Sequence, residues 1–151
     1  MTLTQAHLET VVTQEQLKRE RLRFINFEFV RTPAGQCTAE VELEWLGNAR
    51  VVGHVEGRAS PLGGDLRLSA EAALQAIVKF SNGQLDLELI GVKAMRAFDA
   101  NIVIVSVAST RDGRVERLLG SYLAEHDPLR GAVIAVLNAT NRVLGNFIAT
   151  R

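Results

Sequence analysis

Few residues in this chain have the type and spacing that chemistry demands. Its three histidines, His7, His54 and His126, lie far apart on three different elements, and no pair shows the i, i+4 spacing of a helical metal site. The single cysteine, Cys37, excludes an internal disulfide and a cysteine-built zinc site, and it falls on the apolar side of a strand pattern. Carboxylates recur in two stripes, Glu40-Glu42-Glu44 and Asp86-Glu88. Both follow the period-two rhythm of a solvated strand face, where acids serve solubility, whereas acid–base work needs a cleft to shift one pKa. Gly53-His54-Val55-Glu56-Gly57 alternates glycines inside a strand register with no helix directly after it, so it is no phosphate fingerprint. Glycines so placed mark the close approach of another backbone. Nothing here reads as a catalytic constellation, and no cofactor is implied.

Two strand-to-helix junctions hold more promise. Ser60, Gly63, Gly64 and Asp65 precede one helix, and Glu125, His126 and Asp127 precede another. Free N–H groups and the helix dipole favour an anion at such ends. Simple capping is the favoured explanation of both, above all for Asp127 ahead of Pro128. The functional alternative is a small anionic or amino-acid effector held between the two junctions, with Glu125, His126 and Asp127 as one wall.

The elements that position these residues are legible from periodicity. Residues 1–21 read as a helical arm with a thin stripe of Leu8, Val11, Val12 and Leu17, closing on Lys18-Arg19-Glu20-Arg21. Residues 22–151 form a single α+β domain. A first strand places Ile25, Phe27 and Phe29 on one face. After the Pro33–Gln36 turn, Cys37, Ala39, Val41, Leu43 and Trp45 alternate with Thr38, Glu40, Glu42 and Glu44. Gly47-Asn48 turns the chain into a third strand carrying Val51, Gly53, Val55 and Gly57. A helix capped by Ser69 follows, with Ala70, Ala73, Leu74, Ile77 and Val78 as its stripe, and Ser81-Asn82-Gly83 stops it.

The order then repeats. A strand from Leu85 towards Met95 turns at Ala97–Ala100 into Ile102–Val107, which is apolar on both faces, as expected of a strand covered on both sides. Asp112-Gly113 is a hairpin signal leading to a sixth strand, Val115–Ala124. A second helix starts at Asp127-Pro128 and closes at Gly145. The reading is a duplicated β-β-β-α unit, halves 22–82 and 83–147, with antiparallel sheets packed by two helices. Neither half can bury its own sheet, so the two should share a core.

The run Asp127-Pro128-Leu129-Arg130-Gly131-Ala132-Val133-Ile134-Ala135-Val136-Leu137-Asn138-Ala139-Thr140-Asn141-Arg142 resembles the last helix of the regulatory, dimerisation domain of 2-isopropylmalate synthases. The likeness lies in the leading acid, the small-residue helix and the Leu137-Asn138-Ala139-Thr140-Asn141 ending. Leu85–Val107 with Gly120, and Gly53–Gly57 with Ala70–Ile77, look like the strand pairs and first helix of that domain. The resemblance spans residues 23–144 and implies a dimerising module that senses an amino-acid end product. It does not imply synthase activity, because nothing in the 151 residues corresponds to the catalytic barrel.

Charge bounds the partners. Lys+Arg and Asp+Glu each number 17, so no global field favours polyanions. The order arm-helix, three strands, helix over residues 1–80 is similar to double-stranded RNA-binding domains. Yet the helix from Ser69 has Lys79 as its only cation, which makes nucleic acid the weaker alternative beside a structural protein-interaction domain. No apolar run spans a bilayer and no secretion signal opens the chain, so the expectation is a cytoplasmic, non-enzymatic homodimer with no membrane contact. The arm or a sheet face would form the dimer contact.

Overall fold

A computed structural model describes residues 22–45, 47, 49–58, 60 and 63–149; the expected arm at 1–21 and Asn48 of the first hairpin lie outside these. The chain runs β1 (Arg23–Arg31), β2 (Gln36–Trp45), β3 (Ala49–Arg58), α1 (Gly64–Phe80), β4 (Asp86–Ala97), β5 (Ala100–Arg111), β6 (Arg114–Leu123) and α2 (Pro128–Ala149). Two antiparallel meanders result, ordered β1-β2-β3 and β4-β5-β6. The α+β class and the repeated three-strand unit are as the sequence leads one to expect.

Alternation in β2 drives the packing. Cys37, Ala39, Val41 and Leu43 are fully buried, while Thr38, Glu40, Glu42 and Glu44 face outward. In β5, Val103, Val105 and Val107 play the same part. α1 lies across β2 and β3, α2 lies across β5 and β6, and α1 also packs against α2 and β4. The halves thereby share one apolar core. Each fully buried valine, leucine or isoleucine contributes about 1.5–3 kcal/mol of transfer free energy.

Two landmarks relate the halves. The first is a bulge in each opening strand: Ile25 is extra between the pairs Phe24–Leu43 and Asn26–Glu42, and Ile90 is extra between Leu89–Val107 and Gly91–Ser106. The first bulge corrects the expected face of β1. It turns Phe24 to the core with Phe27 and Phe29 and takes Ile25 out of the row. The second landmark is a glycine in each closing strand. A Cβ on Gly53 would lie 1.9 Å from the Ala72 carbonyl oxygen, and one on Gly120 would lie 2.1 Å from that of Ala135. Gly53 opposes Val41 and Gly120 opposes Val105, so both landmarks equate β2 with β5 sixty-four positions later.

Helix boundaries differ from expectation at two ends. α1 begins at Gly64, after Gly63 in the left-handed region (φ 88°), not at Ser69. Ser69 is buried within the helix, and its hydroxyl donates to the Asp65 carbonyl at 2.8 Å. That back-bond is open to a serine in mid-helix and hides it from a capping rule. Gly145 does not end α2, which continues to Ala149 and carries Phe147 against Phe80. The stop after α1 is as expected. Asn82 and Gly83 take positive φ, and the Gly83 N–H reaches back to the Val78 carbonyl. Among the described residues no helix is long and apolar enough to cross a membrane.

Candidate functional site

The two junctions have distinct structural partners. The Asp65 carboxylate pairs with Arg31, whose guanidinium is held more firmly charged by its hydrogen bond to Cys37 and by Asp65 itself. The Ser60 carbonyl accepts the Gly64 N–H at 3.3 Å, and the Gly63 carbonyl accepts that of Arg67 at 3.1 Å. At the other junction, Asp127 Oδ1 accepts the Arg130 N–H at 3.1 Å, the bond of an amino-terminal cap, and Glu125 and His126 are exposed. The Arg130 guanidinium lies 4.6 Å from the centre of the Phe24 ring. Asp65 thus meets β1 at Arg31, and the helix capped by Asp127 meets it at Phe24. These points are seven positions apart along the strand, about 23 Å. The two junctions therefore meet β1 near opposite ends of the strand.

The repeat accounts for Arg130. Arg67 stands five residues before Ala72, as Arg130 does before Ala135, and each crosses to the first strand of the other half. Arg67 donates to the Leu89 carbonyl at 3.3 Å and pairs with Glu71 at 3.1 Å. Because α1 starts early, Lys79 is not its only cation. Lys79 itself donates to the Val52 carbonyl at 3.0 Å. Both cations of α1 are therefore spent inside the domain rather than arrayed for phosphates.

His54 stands on the open face of the first sheet, with Nε2 3.2 Å from Glu56 and Nδ1 3.5 Å from Glu40. The hydrogen bond to Glu56, aided by Glu40, raises its pKa above the usual 6.5 despite some desolvation. Its side chain is 45% exposed. Cys37 is buried. Among the described residues no group of three histidine, cysteine or acidic side chains is placed to hold a metal ion.

A cleft of about 760 Å³ opens elsewhere, between the β5–β6 hairpin, the start of β4 and the last turns of α2. Its origin follows from the two landmarks. Four residues beyond Val41 stands Trp45, and its ring packs on Phe80 with centroids 5.2 Å apart. Four residues beyond Val105 stands Ser109. Phe80 lies eight residues after Ala72, and its counterpart eight after Ala135 is Val143. A tryptophan–phenylalanine plug in the first half thus becomes serine and valine in the second, and both line the cleft. Two longer elements then wall the gap. The β5–β6 hairpin extends two further pairs, to Arg111 and Arg114, and α2 runs on to Phe147.

The lining has three kinds of chemistry. Leu85, Val143 and Phe147 give an apolar floor, and Ser109, Thr110 and Asn146 offer hydrogen-bonding groups. Arg111 and Arg114 face each other across the hairpin, with Asp112 and Glu116 beside them. Among the described residues neither arginine is in an ion pair. Two like charges directly opposite on paired strands repel, and a bound carboxylate would relieve them through forked hydrogen bonds. The volume is in the range of small-molecule sites, and an apolar floor with a few converging polar groups is their usual make-up.

None of the seven residues singled out at the junctions lines this cleft. The sequence does carry the signal that would have found it. The Trp45–Phe80 pair has no counterpart in the second half, but this shows only once the halves are aligned by bulge and glycine instead of by their turns. Comparison with known protein families and with curated proteins finds no match to either.

Proposed function

We propose that this chain is a non-catalytic regulatory module that self-associates and binds a small amino-acid-like effector in the cleft between the β5–β6 hairpin and α2. The observation that carries the reading is the Arg111–Arg114 couple, without an ion pair among the described residues, at the rim of an apolar-floored cavity. An amino acid or 2-oxo acid has the matching parts. Its carboxylate suits the guanidinium pair, an ammonium group suits Asp112 or Glu116, and an aliphatic side chain suits Leu85, Val143 and Phe147. The resemblance of Asp127–Arg142 to an amino-acid-sensing domain supports the same class of ligand.

The test is thermal denaturation of the full chain against the amino acids and the 2-oxo acids of the aliphatic ones. A true effector at ~100 times its Kd stabilises the fold by about 2.7 kcal/mol, several degrees in a domain of this size. A melting temperature unmoved by every compound would overturn the effector half of the reading.

A further inference from the structure

The outer faces of the two sheets are built on the same repeat and carry opposite chemistry. On the first sheet this face is mainly charged, presenting Glu28, Glu40, Glu42, His54 and Glu56 around the two valines Val30 and Val52. On the second, the register places Met95, Ile102 and Leu123 in one row, Lys93, Ile104 and Ser121 in the next, and Glu88, Ala108 and Arg117 further along. Leu119 is 70% exposed and Leu123 56%. Among the described residues no helix packs on this side, since α2 occupies the other face through Gly120 and Ala139. β5 therefore presents Ile102, Ile104 and Ala108, with Ser106 and Thr110 in the same line, on a face that nothing among the described residues covers. The first half shows that the scaffold tolerates charge there, so the fold does not impose this apolar surface. Exposed apolar sheet faces of this kind mark contact with another protein surface.

We propose that the outer face of β4-β5-β6 packs face to face with the same face of a second copy, about a twofold axis running along β5. This deepens the self-associating part of the function proposed above and rests on it. The pattern is self-complementary about that axis. Rotation lays β4 of one copy over β6 of the other, so each Glu88 meets the partner's Arg117 and each Met95 meets the partner's Leu123. Glu88 and Arg117 flank Ala108 in a single row, which makes both ion pairs form at the same level. Face-to-face sheets of this kind interdigitate about 10 Å apart. Three strands of about ten residues bury roughly 1,000 Å² over the two copies, the lower edge of specific interfaces, so the dimer should be concentration-dependent.

Sedimentation velocity of the full chain over a concentration series is the test. The expected result is a reversible dimer. Leu119→Glu should shift it to monomer, and Glu88→Arg or Arg117→Glu should each weaken it about tenfold. The Glu88→Arg/Arg117→Glu double variant should recover most of the loss, as coupled charge pairs do. Ser106→Cys, beside the axis, should be joined to its partner by a short bismaleimide, while the buried Cys37 does not compete. A dimer that ignores all of these changes forms through another surface; that overturns this proposal and leaves the proposed function standing. A chain that stays monomeric, with Leu119→Glu lowering only its melting temperature, has the face covered by its own residues 1–21, and overturns this proposal together with the self-associating half of the proposed function.

Discussion

His54 illustrates how far a single residue's chemistry goes on an open sheet face. Its ring sits between Glu56 and Glu40 in open solvent, so both carboxylates favour the imidazolium. Since the folded pKa lies above the ordinary value, the protonated form is the one stabilised. The contribution is complete below about pH 6.5 and is lost as pH rises through the higher folded value. Melting temperatures of the parent and His54→Gln should therefore diverge near pH ~5 and converge by pH ~9. The difference should be small, because exposed pairs are worth little and are screened by salt. A gap that widens towards alkaline pH would contradict the pairing. At this scale the sequence is informative: the period-two pattern puts His54 on the wet face, and Asp127 before Pro128 foretells the cap bond to Arg130.

At the scale of elements, each half is locked by a strand glycine beneath a helix. Close approach was readable from alternating glycines in a strand, but which glycine the helix would meet was not. Gly53 meets the backbone of Ala72, and Gly57 meets only the Leu68 side chain. An added methyl at Gly53 or Gly120 would overlap a carbonyl oxygen that belongs to a hydrogen-bonded helix and cannot rotate away. Gly53→Ala and Gly120→Ala should each cost about 2–4 kcal/mol, by forcing helix and sheet apart along the length of the contact. Gly91→Ala is the control, because nothing lies within 4 Å of its Cβ position; urea unfolding should place it within about 0.5 kcal/mol of the parent. Equal costs at all three sites would mean that the helices do not rest on the glycines. The helix ends were harder to read than the contacts. Ser69 satisfies its hydroxyl inside the helix, and Gly145 does not take the positive φ that would end one, so the usual stop and start residues sit at interior positions.

At the scale of the molecule, the duplication makes the cleft interpretable, and it is also what concealed it. Two copies of one unit would fill both ends alike; this chain plugs one end with Trp45 on Phe80 and leaves the other open at Ser109 and Val143. A pocket that exists because two large side chains are missing leaves no motif, and the two hairpins differ in length, so matching the halves by their turns sets Trp45 against the wrong residue. Helix ends have chemistry that is recognisable in sequence, whereas the cleft arises from tertiary packing. The equivalence supplies its own test. Ser109→Trp restores to the second half the ring that the first half has, in a space bounded by Phe147 and by a valine smaller than Phe80. Burying an indole against that floor removes apolar surface from water, so the melting temperature of Ser109→Trp should hold or rise by a few degrees. Any effector that stabilises the parent should lose its shift in this variant by tenfold or more in concentration, because the ring occupies the floor on which the ligand's aliphatic part would rest. Arg111 and Arg114 remain in place in Ser109→Trp, so a shift that survives would come from an anion held at the rim or elsewhere, and the cleft would not be the site.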